Sequence, residues 1–312
     1  MGVLVASPRP FPPPPAPVPW TGVASMTWSS GLYGEFNLID PTVHGVMLVQ
    51  DGVRGLSMPP VQRWTSTSPA LDGSTWRGHR IQEREVFWPL FVWSDQGTDA
   101  WLDVDTRLWK SLRPDEVGVW EVATRDGYRS LRCRFVDDGD HSFGRDPLKT
   151  GWTLYGIRLV AESPFWEGDR ILVQWDTVAD EPLLPGPPFT IAGSNRMDSA
   201  VLDNPGDVAA WPVWRVWGPC ATARVGLAGR VIEIPFSIAD GEILEIDTSP
   251  DAQTAMLIVN DVGGDEGTDR TGDLGAAEFA PVPAGEALEL SLDAAGGYVE
   301  CELTPLYYRA WG

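Results

Sequence analysis

The 312-residue chain reads as mainly β: a β-rich α+β first half, then an antiparallel β-sandwich. Three observations carry this expectation. Extended stretches rich in Val, Ile, Trp and Tyr recur along the chain, with Gly, Pro and Asp-Gly punctuation between them. One helical pattern interrupts them near residue 100. Sixteen tryptophans each need a large apolar contact, which packed β-layers and interfaces supply.

The first element is Pro8–Pro19, with eight prolines, four of them consecutive at Pro12–Pro15. Proline fixes φ and removes a donor, so residues 1–20 read as an extended polyproline arm. It is either a free tail or an arm lying on a neighbouring subunit. Residues 21–165 follow as the first domain. Gly45–Gln50 runs into Asp51-Gly52, and Val86–Trp93 is β-branched and aromatic. Val117–Thr124 and Tyr128–Phe135 flank Asp126-Gly127, a strong hairpin signal. Gly151–Ala161 is a further strand. The helix spans about 98–112, with Thr98 as its cap, Trp101, Val104, Leu108 and Leu112 on one face, and Pro114 beyond its end. Gly52, Gly55, Gly73 and Gly78 mark turns, since no Gly-Lys-Ser/Thr follows to make a phosphate loop.

Ser163–Asp169, followed by the proline-rich Pro182–Pro188, reads as the domain boundary, leaving 166–312 as the second domain. There the strands are Trp211–Trp217, Arg230–Phe236, Glu242–Asp247, Thr254–Asn260, Glu286–Leu292 and Tyr298–Thr304, the last continuing to Trp311. Leu288, Leu290 and Leu292 alternate with Glu289 and Ser291, as expected of a sheet with one buried face.

Charge excludes some partners. Residues 1–165 hold 16 Lys/Arg and 19 Asp/Glu, a net of −3, whereas 166–312 hold 7 and 25, a net of −18. Phosphate binding depends on Lys/Arg displacing counterions, so specific nucleic-acid binding is not expected. The acidic half also disfavours anionic membranes, and no run approaches the ~20 apolar residues of a membrane helix. Cys133, Cys220 and Cys301 are widely spaced, which makes neither a disulfide framework nor a zinc site. The apolar Val3–Ala6 lacks the basic leader and long apolar run of a secretory signal.

Reactive constellations are absent. His44, His79 and His141 sit in no metal motif, and no Ser lies in Gly-x-Ser-x-Gly, so no catalytic residue and no cofactor are expected. Acidic pairs such as Glu83/Glu85 and Glu300/Glu302 read as solvated strand faces. Asp261, Asp265 and Asp269 recur every four residues in a Gly-rich stretch, continuing to Asp273. A solvated hairpin tip is the expected reading, with an oxygen-ligated calcium ion as the alternative. In Asn204–Pro219, alternation puts Trp211, Val213, Arg215 and Trp217 on one strand face and Pro212, Trp214 and Val216 on the other. Both faces are aromatic, so the strand is expected to be covered on both sides. The alternative is a glycan-stacking face of Trp211, Arg215 and Trp217, with Arg215 against an indole ring.

Several strings together resemble the distal tail protein family of siphophages, particularly minor tail proteins of actinobacteriophages. They are Asp51–Leu56 with Pro59-Pro60-Val61; Leu71–Arg80; Arg84–Pro89; Trp152 through Ala161–Trp166; Asn204–Pro219; Ile246–Pro250; and Pro281–Gly285. The resemblance runs from about residue 45 to the end; the proline-rich arm does not map onto it. It implies a ring-forming belt domain, usually hexameric, and an outward galectin-like β-sandwich, a name that describes shape rather than sugar affinity. It further implies a structural, non-enzymatic virion protein at the tail tip, assembled in the host cytoplasm. The tail tube protein would lie on one side and the tail-tip or baseplate protein on the other, with the tape measure protein as a further partner, and DNA would pass through the central channel. Closed rings need two different patches per subunit, which the near-neutral half can supply, while the half at net −18 suits the periphery. The rival readings are a carbohydrate-binding adhesion module and a cell-wall hydrolase.

Overall fold

The computed structural model describes residues 20, 22–31, 33–176, 201–259 and 267–312. The proline-rich arm, Pro182–Pro188, Asp261 and Asp265 lie outside them. The chain is mainly β and divides into two units. The division falls between Glu167 and Gly168.

The first unit contains β1 (Ser25–Ser30), β2 (Gly34–Asn37), α1 (Pro41–His44), β3 (Val46–Leu48), β4 (Val61–Ser68), β5 (Leu71–Ile81), β6 (Arg84–Trp93), α2 (Thr98–Ser111), β7 (Gly118–Thr124), β8 (Gly127–Asp137), α3 (Pro147–Thr150), β9 (Trp152–Ala161) and β10 (Trp166–Glu167). Its main sheet runs β2-β1-β7-β8-β9-β6-β3, antiparallel at every step. Three strands separate β1 from β6 in this order, yet Trp28 of β1 meets Trp88 of β6 at 5.1 Å. The sheet therefore rolls over its own core. Its two edges approach where Leu48 N–H donates to the Leu38 carbonyl (2.8 Å) and Leu38 N–H to that of Met26 (2.8 Å). Trp28, Trp88, Trp120 and Trp166 form a chain of buried indoles with successive centroids 5.1 Å apart. The end members bond outward, Trp28 Nε1 to Ser111 Oγ and Trp166 Nε1 to the Gly55 carbonyl, both at 3.2 Å. Trp88 and Trp120 have no indole acceptor and instead meet neighbours edge-on, the geometry ring quadrupoles favour.

Two single-turn helices repeat one local device. Asp40–Gly45 and Asp146–Gly151 both read Asp-Pro-x-x-x-Gly. The Asp carboxylate caps the turn, proline occupies the first helical position, and glycine ends it at φ 71° and 73°, where other residues are strained. The two glycine carbonyls then accept the N–H groups of Trp93 and Ser94, each at 2.8 Å, so both turns bracket the end of β6.

The expected helix is present as α2, with Trp101, Leu108 and the capping Leu112 buried. Thr98 is not its cap. Gly97 holds that position, and the Thr98 hydroxyl donates to the Leu148 carbonyl at 2.9 Å instead. Gly73 and Gly78 also differ from expectation. Both lie within β5, and Gly78 sits beside a register shift rather than in a turn.

The second unit contains β11 (Ile171–Asp176), β12 (Val201–Asp203), β13 (Val213–Trp217), β14 (Ala223–Leu227), β15 (Arg230–Ile234), β16 (Glu242–Asp247), β17 (Thr254–Val259), β18 (Thr268–Asp269), β19 (Ala287–Ala294) and β20 (Tyr298–Leu303). One sheet runs β11-β20-β13-β16-β17-β18 and the other β12-β19-β14-β15. Their inner faces share one core: Trp214, Val216, Leu244 and Ile246 from the first, Leu202, Val225, Ile232 and Leu290 from the second. This is the expected antiparallel sandwich.

The second domain was expected to run to residue 312. Instead Tyr307–Gly312 belong to the first unit. Two arginines hold this segment through its backbone. Arg84 Nη2 donates to the Tyr308 carbonyl (2.7 Å), and Arg129 donates to those of Arg309 (2.6 Å) and Gly312 (2.7 Å). The Arg129 guanidinium also lies 3.7 Å from the Tyr307 ring centre, and Ala310 is buried. A strand pattern read from sequence cannot say which sheet its end joins.

Candidate functional site: an exposed hairpin and a charged sheet face

Alternation in β13 is as the sequence predicts. Pro212, Trp214 and Val216 are buried, while Trp211, Val213, Arg215 and Trp217 are half-buried on the outer face. The strand begins at Val213, so Trp211 only leads into it. Arg215 is clasped by three carboxylates, from Glu245 (2.7 Å), Glu302 (2.6 Å) and Glu300 (2.9 Å). Cross-strand register causes this, because Glu245 and Glu300 lie directly opposite Arg215 on the two flanking strands. Burial alone would lower the Arg215 pKa. The bonds to Glu302, Glu245 and Glu300 outweigh it and hold the guanidinium above its usual range. Trp217 packs edge-on against Tyr298, with centroids 6.2 Å apart, and its Nε1 is buried without an acceptor among the described residues. The cation that could have lain against an indole is thus engaged by glutamates.

Of the three spaced aspartates, Asp269 alone is described. It is exposed at the end of β18, where Oδ1 accepts the Thr271 N–H at 2.9 Å. Among the described residues no group of three His, Cys, Asp or Glu could hold a metal ion. All three cysteines are buried, and burial pushes each thiol up, away from the thiolate a nucleophile needs.

The most exposed structure in the first unit is one the sequence did not single out. Strands β4 and β5 pair only with each other, and nearly every described residue along them is exposed. At ~3.3 Å per residue, the eleven residues of β5 extend roughly 35 Å. An isolated two-stranded hairpin is marginal in water. This one nevertheless carries Trp64 and Trp76, 46% and 58% exposed, whereas the other tryptophans are buried or half-buried. Its charge is also distinctive. Arg63, Arg77 and Arg80 make no ion pair with any described residue; Arg77 Nε instead bonds Ser66 Oγ at 2.8 Å.

At the root of the hairpin lies an open cleft of about 570 Å³, lined by Pro60, Gln62, Arg80, Gln82, Glu83, Glu85, Glu162 and Phe165 among others. Glu162 pairs with Arg134 at 3.1 Å. Glu83 and Glu85 are exposed and have no cationic partner among the described residues. A second recess of about 390 Å³ shares both glutamates and continues along Phe87 and Arg158.

No protein-family model matches the sequence, and no curated protein matches it either. Solved structures do. The Dit protein of phage SPP1, described as a paradigm of the hub adsorption apparatus in phages infecting Gram-positive hosts, is similar at TM-score 0.59 and 13% identity, over 90% of this chain and 98% of that one. A chain of the phage P2 baseplate in its calcium-activated conformation is similar at TM-score 0.51 and 10% identity, over 90% and 97%. A chain of the same baseplate with strontium gives 0.51 and 11%, over 89% and 97%. In fold, then, the chain is similar to phage hub and baseplate proteins across about nine-tenths of its length.

Proposed function

We propose that this chain is a structural protein of a phage virion, a distal-tail hub at the tail tip, acting by assembly rather than by catalysis. The observation that carries the reading is the likeness to SPP1 Dit, which takes in 90% of this chain and 98% of that protein and so engages both units. The exposed β4–β5 hairpin supports it, since a solvated two-stranded arm bearing two open tryptophans is what a surface awaiting another chain looks like.

In this reading copies close into a ring, six by analogy, built from the first unit. It joins the tail tube protein to the tail-tip protein around the channel through which DNA leaves. The acidic second unit contributes little to self-association. The rival of a glycan-binding face at Trp211, Arg215 and Trp217 is less well supported, because Arg215 is already held by three carboxylates. The test is the solution mass of the purified full chain, followed by negative-stain imaging. Rings of several copies are expected. A particle that stays single at high concentration would remove the proposal.

A further inference from the structure

Two surfaces of the first unit carry charges that make no ion pair with any described residue. Arg63 and Arg77 stand on an exposed hairpin with no carboxylate partner among the described residues. Glu83 and Glu85 stand in the cleft at its root without an ion pair to any described residue, Arg80 being part of the same cleft wall. The apolar features match in the same way. Trp64 and Trp76 are open on the hairpin, and Phe165 and Pro60 form part of the cleft wall.

Such a pair of patches, different and complementary on one molecule, is the requirement for a head-to-tail interface. Each copy then offers its hairpin to one neighbour and its cleft to the other. Covering the hairpin in this way would also supply the packing that a two-stranded sheet lacks alone.

We propose that the β4–β5 hairpin of one copy docks on the next copy with Arg63 and Arg77 against the cleft that holds Glu83 and Glu85. The occupant is a second copy of this chain. The inference rests on the assembly reading above and names the surfaces through which that assembly is made. Electrostatics set the register, and the tryptophans bury against the apolar wall.

The test uses the full chain and charge reversal at exposed positions, where folding is undisturbed; unchanged far-UV circular dichroism checks this. Arg63→Glu with Arg77→Glu, and separately Glu83→Arg with Glu85→Arg, should each raise the concentration needed for assembly by tenfold or more, on the order of what lost charge pairs cost at interfaces. All four changes in one chain should restore assembly. An equal mixture of the two double variants should also assemble, as alternating copies, because each reversed hairpin then meets a reversed cleft and each native hairpin a native one. If the wild type assembles and both double variants assemble equally well, the contact lies elsewhere and this inference fails while the hub reading stands. Failure of the quadruple variant to recover, with its fold intact, also counts against it. A wild type that never assembles overturns both.

Discussion

Trp28 occupies the space that a side chain on Gly118 would need. A Cβ at Gly118 would lie 2.0 Å from Trp28 Cη2 and 2.1 Å from Cζ2. The glycine at the start of β7 thus leaves room for the first of the four linked indoles. Gly118→Ala must displace a buried ring whose Nε1 is tied to Ser111, and overpacking of this kind costs about 1–3 kcal/mol or more. A urea melt followed by tryptophan fluorescence should show the loss, accompanied by an altered native spectrum. A wild-type midpoint would mean that the indole moves freely.

Arg84 is a buried cation with no carboxylate. It donates to the carbonyls of Pro164 (2.7 Å), Gly55 (2.7 Å), Tyr308 (2.7 Å) and Ser57. Burial pushes its pKa down to about 10, which leaves it charged at neutral pH. Arg84→Met removes every donor and strands these carbonyls, at about 3–5 kcal/mol. The C-terminal segment should loosen first. Limited proteolysis ought therefore to clip near Tyr308 in the variant before global unfolding, and simultaneous loss would argue against a local clamp.

Asp105 accepts the Tyr155 hydroxyl at 2.7 Å, and burial raises its carboxyl above the usual 3.8 despite that bond. A raised acid pKa favours the folded state only while the group is protonated, so the contribution fades as pH climbs through the folded value. Asp105→Asn keeps an acceptor for Tyr155 and removes the buried charge. The variant should be more stable than wild type at neutral pH. Its advantage should shrink as pH falls through the folded pKa and vanish near 3.8. Denaturant midpoints across pH 3–7 would read this, and an advantage independent of pH would contradict it.

Arg215 of β13 bridges Glu245 on β16 to Glu300 and Glu302 on β20. Arg215→Met should leave three carboxylates in mutual repulsion and cost about 1–3 kcal/mol, since the cluster is only partly solvated. Added salt should recover part of the loss by screening. A deficit that does not change with salt would point to lost packing of the arginine stem instead.

Legibility in the sequence followed locality. Strands with clean alternation, such as β7, β9 and β16, were read within a residue or two, because burial of one sheet face imposes a period of two. Helix α2 was legible from its apolar stripe, but its cap was not, because Thr98 spends its hydroxyl on a carbonyl fifty residues away. The β4–β5 hairpin escaped because neither face is buried and no alternation is written into it. Arg215 was read as an alternative stacking partner for an indole, and its three glutamate partners depend on strand neighbours that no local pattern reveals.

By itself the sequence determined the mainly-β class and the outward and inward faces of β13. Each of these follows from composition or from contacts a few residues apart. Only the tertiary structure decided that the final six residues return to the first unit, that four distant tryptophans share one core, and that unmatched arginines and glutamates stand on different surfaces. Those outcomes depend on which strands become neighbours, and pairing between segments a hundred residues apart leaves no mark in either segment alone.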